Sequence, residues 1–245
     1  MPRYFIEVCY KGTNFAGFQV QQNANTIQAE VEKALSIYFR YEFSLTGSSR
    51  TDAGVHALQN FFHFDTVLSF DKEALLKAVY HLNAILPEDI VIKEIIEVKA
   101  DAHCRFDAIS REYRYTVYRD KDPFLKDRAY YYPFGVDINL LQQAAAEILN
   151  HTDFTAFAKR NTQVHTFNCN ILVSRWEEMN NTLIYTVCAN RFLRGMVRGL
   201  AGTMLKVGTQ KISLEQFKKI IEMGDISMVD FSVPAHGLTL MKVMF

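Results

Sequence analysis

The strongest constraint on the fold is the order in which two hydrophobic periods follow each other along the chain. Residues 3–10 alternate as a strand does, with Tyr4, Ile6 and Val8 on one side and Phe5, Glu7 and Cys9 on the other. After a loop rich in Gly, Asn and Gln, Thr26 is placed to cap a helix in which Ile27, Val31, Leu35 and Tyr38 recur at helical spacing. Residues 42–48 and 58–66 return to strand character. Asp71 caps a second helix carrying Leu75, Val79 and Leu82, and residues 89–99 form a fourth strand.

This order, β-α-β-β-α-β, is the split βαβ arrangement of ferredoxin-like folds. The second half of the chain repeats it. A strand is expected at 111–119, a helix from about Asn139 to Leu149, and strands at 169–178 and 182–190 flanking the turn Met179-Asn180-Asn181. Helices follow near 193–207 and 213–223, then a last strand at 238–244. The sequence therefore predicts an α+β protein of two ferredoxin-like halves, 1–105 and 106–245, with antiparallel sheets and a central cleft. The length of 245 residues leaves ample surface to bury in such an arrangement.

Composition narrows the function classes. Hydrophobic residues are 49% and charged residues 22% of the chain, which excludes a disordered or coiled-coil protein. Lys+Arg and Asp+Glu are both 27, so nucleic acid is not gripped through an overall positive field, although a locally basic surface remains open. The cysteines at 9, 104, 169 and 188 have no C-x-x-C spacing and read as small buried hydrophobes of a reducing compartment. No run of about 18 apolar residues is present and the N-terminus has no apolar leader, so no membrane association and a cytoplasmic location are expected.

Chemistry concentrates in Thr46-Gly47-Ser48-Ser49-Arg50-Thr51-Asp52-Ala53-Gly54-Val55-His56-Ala57, a small polar loop between two strands. Asp52 is the one acid between Glu42 and Asp65, and Arg50 is its nearest charge in sequence. In extended chain, residues two apart share a side, so Arg50 is in position to keep the carboxylate ionised. The same residues equally suit a plain turn opened by Asp52 and closed through Gly54. His56 reads either as an RNA contact or as a satisfied structural histidine. His63 and Asp65 lack a third ligand at metal spacing.

Gly47 to Ala57, in the form Gly-x-x-Arg-Thr-Asp-Ala-Gly-Val-His-Ala, resembles the signature of the tRNA pseudouridine synthase A family. Further segments are similar to that family: Tyr10-Lys11-Gly12 through Gly17-Phe18-Gln19, the helix from Thr26 to Leu35, and Asn83 to Ile90. So are Arg111-Glu112-Tyr113-Arg114-Tyr115, His151 to Phe157, and Asn190 to Arg198. The resemblance spans essentially the whole chain. It departs at Phe18, where Trp is frequent, at Val20 and Glu112, where basic residues are common, and at Ser48-Ser49, where smaller residues are common.

The resemblance implies an isomerase that converts uridine to pseudouridine at positions 38 to 40 of the tRNA anticodon stem-loop. It implies a homodimer that needs neither metal nor organic cofactor. By the same resemblance Asp52 is the catalytic nucleophile, Tyr113 stacks on the target base, and Arg198 pairs with the aspartate; by its place in the chain Arg50 either shares that carboxylate or binds phosphate. The chemistry suits these residues. The reaction breaks N1–C1′, turns the base and closes C5–C1′, so nothing is oxidised or lost. A carboxylate can attack a sugar carbon or take a sugar proton. A base in a stem must first be unstacked, and an aromatic side chain then compensates for the lost stacking. By pattern alone, Tyr113 serves equally as a core tyrosine beside Tyr115, and Arg198 as a solvated helix arginine.

Charges segregate in spite of their zero sum. From Met179 to Leu214 there is no acid, whereas Arg191, Arg194, Arg198, Lys206 and Lys211 are present. Arg111 and Arg114 interleave with Tyr113 and Tyr115. Basic residues mixed with aromatics suit RNA, which makes Arg111, Arg114, Arg191 and Arg194 candidate RNA contacts. Two other classes stay open on the residues alone. One is a non-catalytic RNA-binding protein on the same fold, which has no need of Asp52. The other is a nucleoside or glycoside hydrolase, which needs a second carboxyl near it.

Overall fold

The computed structural model describes residues 1–159 and 164–245. They form two compact units, Met1–Ile109 with Leu240–Phe245, and Ser110–Thr239. Both are α+β with mostly antiparallel strands, and the described residues contain five α-helices. Residues 240–245, expected with the second half, pack in the first unit. No helix among the described residues is long and apolar enough to cross a membrane.

In the first unit, β1 (Arg3–Tyr10) lies between β4 (Ile90–Val98) and β3 (His56–Asp65), antiparallel to both. The two-residue β2 (Thr46–Gly47) pairs with β3, and the last strand, β9 (Leu238–Met244), also runs beside β3. The alternation in β1 places Tyr4, Ile6 and Val8 in the core, each fully buried. Across the ladder Tyr4 faces Phe64 and Ile6 faces Phe62. Helix α1 (Ile27–Phe39) starts where Thr26 accepts a hydrogen bond from the Ala29 amide, and it buries Ile27, Val31, Ala34 and Leu35. Helix α2 (Lys72–Ile85) starts at Asp71, which accepts from Ala74 N, and buries Leu75, Ala78 and Leu82. Phe39 at the end of α1 joins Phe43, Phe64, Phe70 and Tyr4 in one aromatic cluster.

The strand expected at 42–48 shrinks to β2. The physical reason lies in α1: the Leu45 amide donates to Glu32 Oε1 at 2.9 Å and its carbonyl accepts from Gln28 Nε2 at 2.8 Å. Helix side chains thus satisfy backbone groups that a strand would have paired. Strand β3 also differs, starting at His56 and carrying one extra residue where the register slips between Val8↔Asn60 and Tyr10↔Ala57. Such a bulge re-aims side chains at the mouth of a site.

In the second unit the strand order is β5 (Ser110–Tyr118), β8 (Thr182–Ala189), β7 (Ile171–Met179), with the short β6 (Tyr130–Tyr131) parallel to β5. Asn180 and Asn181 both take positive φ, +46° and +64°, and close the β7–β8 hairpin in the turn that its twist favours. Helix α3 (Ile138–Ile148) buries Leu141, Ala144, Ala145 and Ile148. Helix α4 (Met196–Gly208) is buried along most of its length, and α5 (Leu214–Met223) opens with a capping box of Ser213 and Gln216. The expected start of α4 near 193 moves to Met196 because Gly195 adopts φ +75° at the cap.

One buried titratable group makes stability depend on pH. Burial, then the nearby His103 and Arg3 charges, push the His63 imidazole down from 6.5 to about 4. Its ring sits 3.1 Å from the Cys104 thiol. Because the folded value lies below the unfolded one, the unfolded chain binds the extra proton between pH 6.5 and 4. This contribution is therefore complete above pH 6.5 and lost as pH falls toward 4. Urea unfolding at a series of pH values should show His63→Phe losing less stability than the parent over that interval, with no difference in slope above it.

Candidate active site

The signature loop is held from three sides in the first unit. Asn60, fully buried in β3 at the bulge, takes most of the load. Its Oδ1 accepts from Ser49 N at 3.3 Å and Phe61 N at 2.9 Å, and its Nδ2 donates to Ser49 O at 2.8 Å and Tyr10 Oη at 3.2 Å. Tyr10 Oη in turn meets Thr51 Oγ1 at 2.8 Å. The early loop closes the second side. Phe18 N donates to Thr51 O at 3.1 Å, and the Phe18 ring stacks flat on Phe62 at 4.4 Å. The third side is His56, which is buried and whose Nδ1 accepts from Gly12 N at 3.0 Å. The structural reading of His56 therefore holds.

Two glycines are required for this closure. A Cβ on Gly12 would lie 1.9 Å from the Val55 carbonyl oxygen, so only glycine lets the early loop approach. Gly54 adopts φ +80° at the third position of a turn in which Val55 N donates to Asp52 O at 3.2 Å. That is the position where a type II turn demands positive φ. Asp52 thus does open a turn, and the turn is what presents it.

Asp52 and Arg50, two residues apart, do not meet. Their side chains form no ion pair, and Arg50 instead lines a pocket with Thr46, His103 and Arg105. Among the described residues the Asp52 carboxylate has no hydrogen-bond or ionic partner, although Thr51 and Val55 on its flanks are buried and bonded. Arg50 is exposed and lines a small pocket with Gln19, Thr46, His103, Arg105 and Phe106. The Ser48 and Ser49 hydroxyls are buried without a hydrogen-bond partner among the described residues.

Tyr113, Arg111, Arg114, Arg191, Arg194 and Arg198 belong to the second unit. Tyr113, 8% exposed, meets the Phe192 ring edge-on at 5.1 Å. Its neighbour Tyr115 is buried completely. Tyr115 Oη donates to Pro234 O at 2.8 Å, and burial raises its phenol well above the ordinary range, against a small opposing effect of Arg198. Arg198 is half-buried rather than solvated. Its Nε donates to Val233 O at 2.9 Å, and its Nη2 to Val233 O at 2.6 Å and Phe231 O at 3.2 Å. Segment 229–233 comes this close because α4 is bare at two positions. A Cβ on Gly202 would lie 2.3 Å from Asp230 O, and one on Gly199 2.8 Å from the Phe231 ring.

The remaining basic residues divide. Arg111 Nη1 donates to Asn190 O at 3.0 Å, and Arg114 pairs with Glu112 at 3.6 Å. The acid that departs from the family pattern therefore neutralises an arginine. Arg194 is exposed and makes no side-chain bond among the described residues, and Arg191 is half-buried, its amide bonded to Asn190 Oδ1. Sequence reasoning missed Asn60, Tyr10 and the Gly199–Gly202 face. The only signal for Asn60 was a polar residue at an inward position of an apolar strand.

Comparison with known proteins decides the family. A model described as tRNA pseudouridine synthase matches residues 8–107 and 144–245. The chain belongs to the tRNA pseudouridine synthase family. The proteins named tRNA pseudouridine synthase A from Porphyromonas gingivalis and Parabacteroides distasonis are 42% and 40% identical to it, over the whole chain and 98% and 96% of their own lengths. That of Staphylococcus saprophyticus is 36% identical over 98% of the chain and 90% of its own length. The resemblance read from the sequence is borne out, and with it the reaction class, an isomerisation of uridine in tRNA. The matched stretches contain Asp52 and Arg198, and Tyr113 falls between them.

The Asn60 amide satisfies four polar atoms in a place closed to water. Asn60→Ala should therefore lower unfolding free energy by roughly 2–4 kcal/mol, measured by denaturant titration.

Proposed function

We propose that this protein isomerises uridine to pseudouridine at positions 38 to 40 of the tRNA anticodon stem-loop, with Asp52 acting on the ribose of the target. The observation that carries this reading is the state of the Asp52 carboxylate. It sits half-buried at the start of a turn whose flanking groups are bonded into the fold, and it has no partner of its own among the described residues. A rigid turn with one uncommitted anion is arranged to meet a substrate.

The roles follow from the chemistry. Asp52 attacks C1′ as N1 departs, the freed uracil turns, and C5 closes on C1′ as the carboxylate leaves. N1 gains a proton and C5 loses one, so the product has the composition of the substrate. Tyr113, with its ring fixed by Phe192, offers a face to the unstacked base. Arg198 supplies a guanidinium edge for the anionic groups of the reaction, and Arg50 one for the backbone near the target. Arg194 and Arg191, with Arg111, contribute phosphate contacts, whereas Arg114 spends its charge on Glu112. The protein works in the cytoplasm, on tRNA, as a homodimer.

Each unit is read as a ferredoxin-like half. The first has the order β4-β1-β3 with the two-residue β2 outside β3, and the second has β5-β8-β7, so in each the first strand neighbours the third and the third the second, with β2 and β7 as the second strands.

Asp52→Asn keeps the shape of the side chain and removes its nucleophile. Unmodified tRNA incubated with it and mapped at single-nucleotide resolution should show no pseudouridine, while filter binding shows tRNA still retained. Turnover by the variant would overturn the assignment, and release of free uracil by the parent would indicate a hydrolase. Light scattering should give twice the mass of one chain, and the mass of one chain alone would refute the homodimer.

A further inference from the structure

We infer that the turn His103–Asp107 is an RNA-binding site beside the Asp52 loop, in which Arg105 and His103 hold a phosphodiester and the Phe106 ring stacks on an unpaired base. This rests on the proposed function, since RNA is the ligand.

The pocket of about 190 Å³ beside Arg50 is lined by residues from β2, the early loop and this turn. Its lining includes Arg50, Arg105 and His103 and no acid. Guanidinium groups and an imidazole around an acid-free recess suit an anion of phosphate type.

Phe106 is the unusual member, for it is a phenylalanine 74% exposed. Single exposed apolar residues are common, but this one is braced. Its ring lies 4.2 Å from that of His103, with the Arg105 guanidinium carbon 5.7 Å from its centroid. The brace is anchored below. His103 meets His63 edge-on at 4.6 Å, and the Cys104 thiol sits 3.2 Å from the Thr46 carbonyl and 3.1 Å from His63 Nδ1.

The turn is also closed on itself. Asp107 Oδ2 accepts from His103 N at 2.7 Å, and His103 Nδ1 accepts from the amides of Arg105 at 3.1 Å and Phe106 at 3.3 Å. An Nδ1 that accepts leaves the proton on Nε2, where it is a donor for a phosphate oxygen. The result is a preorganised aromatic platform with adjacent cations, the combination by which proteins take unpaired nucleotides.

The experiment measures binding of an unmodified tRNA transcript by filter retention over a series of salt concentrations. Pseudouridine formation by the parent protein is assayed separately. Phe106→Ala should weaken binding roughly 5- to 100-fold. Phe106→Trp should restore it, because any aromatic face stacks. Arg105→Ala should reduce the slope of log affinity against log salt by about one. The Phe106 ring is exposed, so the thermal midpoint of Phe106→Ala should match the parent. Parent-like affinity in Phe106→Ala, or failure of Phe106→Trp to restore a loss, overturns the site. If the parent makes pseudouridine and the variants bind normally, the site falls and the enzyme stands. If the variants behave as stated and the parent makes none, the site stands and the reaction falls.

Discussion

The first unit depends on one side-chain amide. Loop 48–55 runs close against the sheet without being part of it, so its backbone groups cannot all be paired by a ladder. Asn60 resolves this from inside β3, with one oxygen accepting from two amides and one nitrogen donating to a carbonyl and a phenol. The bulge in β3 brings the amide under the loop, and the Gly12 and Gly54 backbones let the chain close over it. Among the described residues, what remains unpaired on the outer side is the Asp52 carboxylate. The same arrangement thus saturates the neighbours and leaves this carboxylate uncommitted among the described residues.

The second unit solves a related problem with a cation. Segment 229–233 is irregular and lies on α4, which offers no side chain at Gly199 and Gly202. Its carbonyls are taken by Arg198 and its Asp230 amide by Thr203 Oγ1 at 3.0 Å. Burial works to raise the Asp230 carboxyl, but hydrogen bonds from Ser232 and the charges of Lys206 and Lys211 outweigh it and leave it below the ordinary value. An arginine that anchors its own fold through two nitrogens has its position set by the fold itself.

The equal totals of 27 basic and 27 acidic residues acquire meaning at this level. Several arginines spend their charge locally, as Arg3 does on Asp65 at 2.7 Å and Arg114 on Glu112 at 3.6 Å. Others, such as Arg50 and Arg194, are exposed without ionic partners among the described residues. A protein of this kind attracts polyanions weakly at a distance and recognises them through a few placed contacts, so salt acts on those contacts and not on a general field.

By itself the sequence determined what local rules control. The alternation of β1, the caps at Thr26 and Asp71, the Asn180-Asn181 hairpin turn and the last strand at 238–244 were legible because each depends on neighbouring residues only. The length of the Gly47–Ala57 motif likewise marked Asp52 without knowledge of its surroundings. Tertiary structure decided the rest. Leu45 gave up its strand because helix side chains satisfied its backbone, and Arg50 lines a pocket with Thr46, His103 and Arg105 rather than pairing with Asp52. Tyr113 and Tyr115 have the same period and the same local context. Only the packing of Pro234 and Gly237 on Tyr115 closes it off completely, while Tyr113 keeps an edge exposed. Periodicity reports which side of an element a residue occupies, whereas its partner is set by whatever distant chain arrives there.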